Sequence, residues 1–286
     1  MTTNNRVLVL GATGMLGHQV VRGLADSFDV SATVRSLSVA EQHGLPGKIF
    51  EWDATQLDVL GELLDELRPD YVVNCIGIIK QSDAAASPIL SIEVNSLLPH
   101  QIAAACKESG SSFVHISTDC VFSGQKPFPD RYTEQDRPDS TDLYGRSKLV
   151  GETTPEEGLT IRTSIIGREL VRETGLLEWF LSQAGGAVDG FSEAWFSGLT
   201  TAALTRVLAQ LFEQESAISG VYQVASDPIN KFDLLGRLRD AFGLKVEVRE
   251  SSSLAINRSL DGSRFGAETQ IVVPSWDQMI ADLAHG

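Results

Sequence analysis

The chain has 286 residues, of which 42% are hydrophobic, enough to bury a sizeable core and to exclude a disordered protein. Its 38 acidic residues outnumber its 23 Lys and Arg, and the formal net charge of −15 disfavours nucleic acid and anionic membrane surfaces as partners. Three cysteines without a CxxC pair predict a reducing compartment, and five histidines without an HxxxH or HExxH spacing predict no metal site. The polar N-terminus passes directly into a predicted strand and no apolar run approaches about 20 residues, so we expect no signal peptide, no membrane span and a cytoplasmic location.

Short apolar segments alternate with segments of helical periodicity over the first 165 residues. We predict strands at 6–10, 30–34, 48–52, 71–74, 113–117 and 159–162, and helices at 15–25, 57–67, 89–109 and 142–152. Helix 89–109 contains Pro99, which cannot donate its backbone hydrogen bond, so we expect a bend or break there. Parallel βαβ units whose strands are apolar on both faces predict an α/β fold with a doubly wound parallel Rossmann sheet.

The pattern is looser after residue 165. We expect helices at 175–184, 201–213, 232–242 and 275–284, and extended segments at 221–224 and 246–250. We therefore divide the chain into a dinucleotide-binding Rossmann domain at 1–165 and a smaller C-terminal α/β substrate-binding domain at 166–286, with some later segments returning to the first domain. The proline-containing segment 121–140 is expected to be a loop, either a lid over the site or a plain surface loop.

A glycine-rich turn joins the first predicted strand to the first predicted helix. Glycines at this junction permit a tight turn and close approach of the backbone to a pyrophosphate. The N-terminus of the helix then offers free N–H groups and the positive end of its dipole to the phosphates. We predict that this turn binds a dinucleotide; its residues are Gly11, Thr13, Gly14, Met15, Leu16 and Gly17.

The ends of the next three strands carry candidates for contacts with the rest of the dinucleotide. Arg35 follows the second strand, where folds that prefer NAD usually have an acidic residue, and its guanidinium suits a 2′-phosphate. Asp53 follows the third strand, where a carboxylate can accept a hydrogen bond from an adenine amino group. Cys75, Ile76 and Gly77 close the fourth strand at the edge where cofactors lie.

A candidate catalytic group follows the fifth strand. Ser117, Thr118 and Asp119 lie at its carboxyl end, where open α/β sheets bind ligands, and we expect Ser117 to contact the cofactor. Tyr144 and Lys148 are four residues apart and share one helix face. We expect the Lys148 ammonium to lower the pKa of the Tyr144 phenol, which then exchanges a proton with a carbonyl or alcohol oxygen that Thr118 stabilises. Lys148 also suits a bond to the nicotinamide ribose.

Together these motifs resemble the extended short-chain dehydrogenase/reductase superfamily and, within it, the dTDP-4-dehydrorhamnose reductase group. The resemblance covers nearly the whole chain and is carried by GATGMLG (11–17), STDCVFSG (117–124), YGRSK (144–148), RTS (162–164) and RSLDGSRF (258–265). It implies NADP(H) as the cofactor, with NAD(H) as the alternative, and adds Asn95 to the cofactor-binding residues. It also implies Thr118, Tyr144 and Lys148 as the catalytic set and reduction of the keto group of a nucleotide-linked 4-keto (deoxy)sugar as the reaction.

Two departures from this group concern the sugar. Rhamnose-pathway reductases usually have an aromatic residue after Arg-Thr-Ser, where this chain has Ile165, and tend to have Gln where it has Met15. The sugar and the nucleotide (dTDP, UDP or GDP) are therefore open. A nucleotide sugar is the expected partner, and a second copy of the chain in a homodimer is the one protein partner considered.

Substrate contacts are expected from both halves of the chain. Arg258 and Arg264 lie in the C-terminal motif and are candidates for binding a diphosphate in so acidic a chain. Trp179 lies in a Leu-Leu-Glu-Trp-Phe-Leu segment, of which one aromatic ring is expected to pack against the core. The candidate substrate-binding residues are Thr118, Asp119, Tyr144, Trp179, Arg258 and Arg264.

The residue after Thr118-Asp119 helps to distinguish the reactions that different members of the superfamily catalyse. Dehydratases commonly have Glu there, whereas this chain has Cys120, so dehydration is disfavoured. GDP-fucose synthases resemble the chain at Cys120 but pair it with a distant His, and no His lies between His115 and His285; we therefore expect Cys120 to be a packing residue. Two alternatives stay open, a sugar-nucleotide 4-epimerase and a non-catalytic NADP-binding regulatory subunit resembling the methionine adenosyltransferase β subunit.

Overall fold

The central feature of the fold is a parallel β-sheet covered by helices on both faces. The computed structural model describes residues 5–80, 86–171 and 173–285. The strands are β1 (Arg6–Leu10), β2 (Asp29–Val34), β3 (Lys48–Glu51), β4 (Tyr71–Asn74), β5 (Ser112–Ile116), β6 (Leu159–Arg162), β7 (Ile165–Ile166), β8 (Ala187–Phe191), β9 (Ala194–Phe196), β10 (Leu199–Thr200), β11 (Gly220–Gln223), β12 (Ile229–Asn230), β13 (Glu247–Ser251) and β14 (Ile256–Asn257). The helices are α1 (Gly17–Leu24), α2 (Leu37–Gln42), α3 (Leu57–Leu67), α4 (Pro88–Ile92), α5 (Leu98–Ser109), α6 (Leu143–Val150), α7 (Leu176–Leu181), α8 (Thr201–Glu213), α9 (Lys231–Ala241), α10 (Ser263–Thr269) and α11 (Trp276–His285).

The strand order of the central sheet is β3-β2-β1-β4-β5-β6-β11, and every pair in it is parallel. From β1 the chain adds β2 and β3 on one side of the sheet. It then crosses back to β4 and adds β5, β6 and β11 on the other side. This is the order of a doubly wound dinucleotide-binding fold, and its topological switch point lies between β1 and β4. The predicted fold class is confirmed.

Alternating side chains of β1 enter the hydrophobic clusters on the two faces of the sheet. Val7 and Val9 belong to the larger cluster, and Leu8 and Leu10 to the cluster beneath α3 and α5. All four are buried because helices cover both faces, which explains why the strand is apolar throughout. The larger cluster continues to Ile280 in α11, and β11 pairs with β6, so later segments share the first half's core. The division at residue 165 stays a prediction.

Several predicted elements differ from the structure. The expected helix 89–109 is interrupted by a π-helical turn at Glu93–Leu97, and Pro99 lies in the first turn of α5, where its missing N–H costs little. The predicted bend at Pro99 is therefore wrong in position, and the wide turn that precedes it contains the buried Asn95. Helix α2 and the short strands β8 and β9 were not predicted, because segments of this length carry little periodicity. Among the described residues, the helices are too short or too polar to cross a membrane.

A buried ion pair joins the end of β6 to the segment after α6. Arg162 Nε and Nη2 donate to the two carboxylate oxygens of Glu152 at 2.8 and 2.7 Å, and both side chains are only 6% exposed. Ser117 Oγ donates to the same carboxylate at 2.7 Å. Because Ser117 directly precedes Thr118, this network fixes the carboxyl end of β5.

We predict that Glu152→Ala lowers the free energy of unfolding by about 3–5 kcal/mol, because it leaves the Arg162 charge buried without a partner. The matched control is Asp282→Ala, which breaks the Arg206–Asp282 pair, 47% exposed on both sides, and should cost less than about 1 kcal/mol. Urea denaturation followed by circular dichroism measures both values. Equal losses in the two variants would contradict the role given to the buried pair.

Candidate functional site

The glycine turn lies at the switch point between β1 and β4 and has the shape of a phosphate cradle. Gly11 has a φ of +84°, and a Cβ at Gly17 would overlap the carbonyl oxygen of Gly11. A Cβ at Gly11 would also come within 2.8 Å of the Ile76 side chain, which follows β4. No side chain caps the N-terminus of α1 at Leu16. The His18 N–H donates to the Gly14 carbonyl at 3.2 Å, which leaves the N–H groups between these two residues for an anion. The bare turn and uncapped helix fit a dinucleotide pyrophosphate.

The two residues predicted to contact the adenosine half lie at neighbouring strand ends. Arg35 is exposed directly after β2, and its charge acts on Asp53, which follows β3. The Asp53 Oδ1 atom accepts hydrogen bonds from the backbone and hydroxyl of Thr55 at 2.9 and 2.7 Å, and these bonds hold the pKa of the carboxyl below its usual range. One Asp53 oxygen is thus already engaged, and its contact with adenine stays a prediction.

Asn95 connects the loop after β4 to α6. Its Oδ1 accepts from Ile78 N–H at 2.8 Å, and its Nδ2 donates to the Ile78 carbonyl at 3.0 Å and to Ser147 Oγ at 3.2 Å. These bonds use the amide inside the protein, so Asn95 positions the loop that contains Cys75 and Gly77. Ser117 is likewise engaged, with Glu152. Their direct contact with a cofactor stays a prediction.

Close packing of α6 on the carboxyl end of β5 brings the predicted catalytic side chains together. Asp142 caps α6 by accepting from Gly145 N–H at 2.8 Å, and a Cβ at Gly145 would overlap the Cys120 carbonyl. The helix therefore approaches the strand closely, and the Thr118 hydroxyl lies near enough to Tyr144 to affect its pKa through a hydrogen bond. Thr118 is buried, and its hydroxyl also donates to Asp119 Oδ1 at 3.2 Å.

The electrostatics of Tyr144 differ from the expectation. Burial raises the pKa of its phenol well above the ordinary value, Cys120 and Asp119 act in the same direction, and Lys148 is not among the groups that shift it. The expected lowering by Lys148 is therefore not found, because the Lys148 Nζ donates to the Ile116 carbonyl at 2.7 Å and lies 3.2 Å from His115 Nε2. A neutral phenol is nevertheless the form that donates a proton to a carbonyl oxygen.

The three substrate candidates from the C-terminal half lie in different places. Arg258 donates to the Phe122 carbonyl at 3.0 Å and approaches Cys120 Sγ at 3.7 Å, so it belongs to the site. Arg264 pairs with Glu268 at 2.9 Å and stacks on Tyr222, with its Cζ 4.1 Å from the ring centroid. Trp179 is 40% exposed on α7, and its ring contacts that of Phe180, which is fully buried. Substrate binding by Arg264 and Trp179 gains no support from these contacts and stays a prediction.

Lys231 is a site residue that the sequence analysis missed. It is the first residue of α9, its Nζ lies 3.5 Å from the Phe196 ring centroid, and its charge acts on Asp119 and Cys120. Burial lowers the pKa of Lys231 to about 8 and raises that of Asp119, whereas Arg258 and Lys231 oppose the rise. A lysine beside Asn at a helix start carries no distinguishing signal, so only the fold identifies it.

The segment 121–140 is fixed to the C-terminal motif. Phe122 and Tyr132 stack with ring centroids 4.1 Å apart, and both are buried against Leu260. Tyr132 N–H donates to the Ser259 carbonyl, and Asn257 Nδ2 donates to the Asp130 carbonyl at 2.7 Å. These contacts favour a fixed wall over a lid, and the buried Phe122 and Tyr132 show that the segment is more than a plain surface loop.

A cavity of about 230 Å³ adjoins Tyr144. It is also lined by Lys80 and Asp142, which form an ion pair at 2.7 Å. A larger cavity of about 280 Å³ lies at the opposite edge of the sheet, beside Arg6 and Asp29, and contains none of the candidate residues. We assign the site to the smaller cavity because it holds the predicted proton donor. Over the described ranges, no group of three His, Cys, Asp or Glu side chains is arranged to hold a metal ion; independence from metal stays a prediction.

Comparison with protein families and curated sequences gives a consistent result. A family model described as the RmlD substrate binding domain matches residues 5–283. A Haloferax volcanii protein named as a reductase of low-salt glycan biosynthesis is 29% identical over 86% of this chain and 83% of its own length. A dTDP-4-dehydrorhamnose reductase of Burkholderia thailandensis is 29% identical over 77% and 72%. Methionine adenosyltransferase 2 subunit beta of Danio rerio is 27% identical over 85% and 76%.

Solved structures share the fold. A hypothetical dTDP-4-dehydrorhamnose reductase from Sulfolobus tokodaii aligns with a TM-score of 0.76 and 27% identity, covering 91% of this chain and 93% of its own. A dTDP-4-dehydrorhamnose reductase from Bacillus anthracis, in complex with NADP, aligns with a TM-score of 0.80 and 20% identity over 98% of both chains. A UDP-glucose 4-epimerase from Thermus thermophilus, in complex with NAD, aligns with 0.79 and 19% over 98% of both. Reductases and epimerases thus share this fold, and the fold alone does not distinguish them.

Proposed function

The chain belongs to the RmlD substrate binding domain family, and from this premise we propose that it is an NADP(H)-dependent reductase of the keto group of a nucleotide-linked 4-keto (deoxy)sugar. The observation that carries the proposal is the cluster of Thr118, Tyr144 and Lys148 at the carboxyl end of β5, beside the cavity and on the same sheet edge as the glycine turn. The resemblance of the relatives named as reductases supports it.

The chain's own residues divide the work of reduction. When bound, NADPH supplies the hydride. Tyr144 donates its phenolic proton to the carbonyl oxygen of the sugar, and the Thr118 hydroxyl donates a hydrogen bond to the same oxygen as negative charge develops there. Burial raises the pKa of Tyr144, so the phenol keeps its proton until that oxygen becomes basic. Lys148, as an ammonium, stabilises the phenolate that remains.

The charges around the cavity suit an anionic substrate. In a chain of net charge −15, Lys80 and Arg258 both act on Cys120, and Lys231 and Arg258 both act on Asp119. Three basic side chains therefore lie near the proton donor. Lys80 is already paired with Asp142, so Arg258 and Lys231 are the two that the diphosphate of a nucleotide sugar can balance.

A regulatory subunit is the second candidate function. The similarity to methionine adenosyltransferase 2 subunit beta extends over 85% of the chain, and such a role needs no turnover. A 4-epimerase is supported less, because such enzymes usually keep NAD bound and the exposed Arg35 suits the 2′-phosphate of NADP.

We further propose that the protein acts in the cytoplasm as a homodimer. Its cysteines are free, as a reducing compartment requires. Helices α4 and α6 contact each other and carry large apolar side chains exposed to solvent, including Ile89 (68%), Ile92 (53%) and Val150 (63%). An apolar surface of this kind on two adjacent helices suits a self-complementary contact with a second copy.

For the cofactor, we predict that NADPH binds more tightly than NADH and that Arg35→Asp removes or reverses the preference. A charge-assisted contact with the 2′-phosphate contributes roughly 1.5–3 kcal/mol, or about tenfold to a hundredfold in Kd. Fluorescence titration with both cofactors measures it. Arg68→Asp is the control, because Arg68 is exposed just before β4, at the opposite edge of the sheet. Equal Kd values for the two cofactors in the unmodified protein would refute the assignment of Arg35.

For catalysis, we predict that Tyr144→Phe lowers kcat by about 10²–10⁴-fold, because it removes the proton donor. The Kd for NADPH should change little, since the ring remains. The measurement is NADPH oxidation with a panel of dTDP-, UDP- and GDP-4-ketosugars, with Tyr71→Phe as the control, whose ring stacks on Phe212 away from the site. Unchanged kcat in Tyr144→Phe would contradict the assignment, and NADPH binding without reduction of any ketosugar would favour the regulatory subunit.

For assembly, we predict that the double variant Ile89→Glu, Val150→Glu converts the dimer to a monomer, because it places charges on the apolar surface. Multi-angle light scattering after gel filtration measures the mass. Val272→Glu is the matched control, since Val272 is 83% exposed but belongs to neither helix. This interface would be ruled out if the unmodified protein were already monomeric, or if the double variant stayed dimeric.

A further inference from the structure

A chain of buried polar groups leads from the end of β4 to the catalytic lysine. Asn74 and His115 have no exposed surface, and Lys148 is 5% exposed. Asn74 Nδ2 lies 3.2 Å from His115 Nδ1, and His115 Nε2 lies 3.2 Å from Lys148 Nζ. Polar groups without access to water have to be matched donor to acceptor, so the proton positions along this chain can be derived.

The backbone sets the orientation of the Asn74 amide. Its Oδ1 accepts a hydrogen bond from Ile76 N–H at 3.0 Å, so its Nδ2 faces His115. The opposite orientation would set the NH₂ group against the Ile76 N–H and leave two donors facing each other. Asn74 is therefore a donor towards His115, and the Nδ1 atom of His115 has to accept.

The tautomer of His115 follows from this. Burial, with smaller contributions from Lys148 and His100, lowers the pKa of His115 well below its ordinary value, so the ring is neutral and carries one proton. Because Nδ1 accepts from Asn74, that proton is on Nε2 and is directed at Lys148 Nζ. An ammonium has no lone pair, and it would face this N–H as a second donor. A neutral amine accepts it and can still donate to the Ile116 carbonyl at 2.7 Å.

We propose that His115 is a positioning residue for Lys148: held by Asn74 as the Nε2–H tautomer, it donates a hydrogen bond to the lysine nitrogen and favours the neutral amine in the cofactor-free protein. Lys148 then takes up a proton when an anionic cofactor or the Tyr144 phenolate is present to stabilise the ammonium. The kinetic part of this proposal rests on the proposed reductase function, whereas the tautomer does not.

The other groups around Lys148 permit this behaviour. Burial lowers the pKa of Lys148 to about 8, and Glu152, beyond α6, and Cys75, after β4, raise it by less. Burial raises the pKa of Cys75 to about 12 and raises that of Tyr144 as well, so both are neutral near pH 8. Glu152 is paired with Arg162, and among the described residues it makes no direct polar contact with Lys148. His115 is thus the one group found in direct contact with Nζ, among the described residues, whose proton can change position between two nitrogens.

The first test needs no turnover. Nitrogen-15 NMR of histidine-labelled, cofactor-free protein distinguishes the two neutral tautomers, and the His115 signals are those missing from His115→Gln. We expect Nδ1 to be the unprotonated nitrogen and Nε2 the protonated one. A protonated Nδ1 would overturn the proposal, whether or not the protein proves to be a reductase and whether or not the variants below fold.

The second test reverses the tautomer. In Asn74→Asp a carboxylate faces His115 Nδ1 and accepts its proton, so Nε2 becomes an acceptor for the ammonium. We expect the tautomer to switch and the pKa of Lys148, followed by carbon-13 NMR of its Cε, to rise by about one unit or more. Asn95→Asp is the matched control: it adds the same charge nearby, but Asn95 bonds to Ile78 and Ser147, so the His115 tautomer should not change.

The kinetic test uses the pH profile of ketosugar reduction. Because the ammonium stabilises the phenolate, kcat should fall as the pH rises through the pKa of Lys148. In Asn74→Asp this fall in kcat should move to higher pH by as much as the pKa of Lys148 rises in the NMR measurement. Adding His115→Phe to Asn74→Asp should abolish the shift. A shift that persists without the imidazole would mean a direct effect of the new charge and would overturn the role of His115.

Discussion

The close packing of α6 against the carboxyl end of β5 is the constraint on which the site depends. Gly145 leaves no room for a Cβ between the helix and the Cys120 carbonyl, so the helix rests directly on the turn after the strand. This approach puts Tyr144 beside Thr118 and buries Lys148 against the strand's last carbonyl, that of Ile116. The buried Glu152–Arg162 pair also fixes the carboxyl end of β5, because Glu152 accepts a hydrogen bond from Ser117. The positions of the site residues therefore depend directly on how the helix packs on the strand.

Burial determines which groups of the site are charged. Removing a group from water disfavours its charged form, which raises the pKa of Tyr144 and Asp119 and lowers those of Lys148 and Lys231. Near neutral pH the site therefore holds a phenol that keeps its proton and lysines that can lose theirs. A bound anion changes this balance in one direction, because it stabilises the ammonium forms. In this arrangement, binding of an anionic cofactor and substrate prepares the site for proton transfer.

The C-terminal part completes the site through a few contacts. Arg258 and Lys231 extend from different elements towards Asp119, while the motif around Arg258 fixes the segment 121–140 as a wall. The motif thus has two roles, and of its two arginines only Arg258 contacts residues of the site, at Phe122 and Cys120. Arg264 instead stabilises the fold at β11, where it stacks on Tyr222 and bonds to the Val221 carbonyl.

The sequence by itself determined the α/β class, the glycine turn and the family, because these depend on local patterns: alternating elements, a strand–glycine–helix junction and a Tyr–Lys spacing of one helical turn. Only the tertiary structure decided which side chains meet. Lys231 reaches Asp119 over more than a hundred residues of chain, and Arg264 lies away from the cavity although it is close to Arg258 in sequence. The environment of Lys148 also required the fold, because His115 and Asn74 look like ordinary strand residues until the sheet sets them side by side. Proton positions depend on burial and on the pairing of donors with acceptors, and neither is visible in a linear pattern.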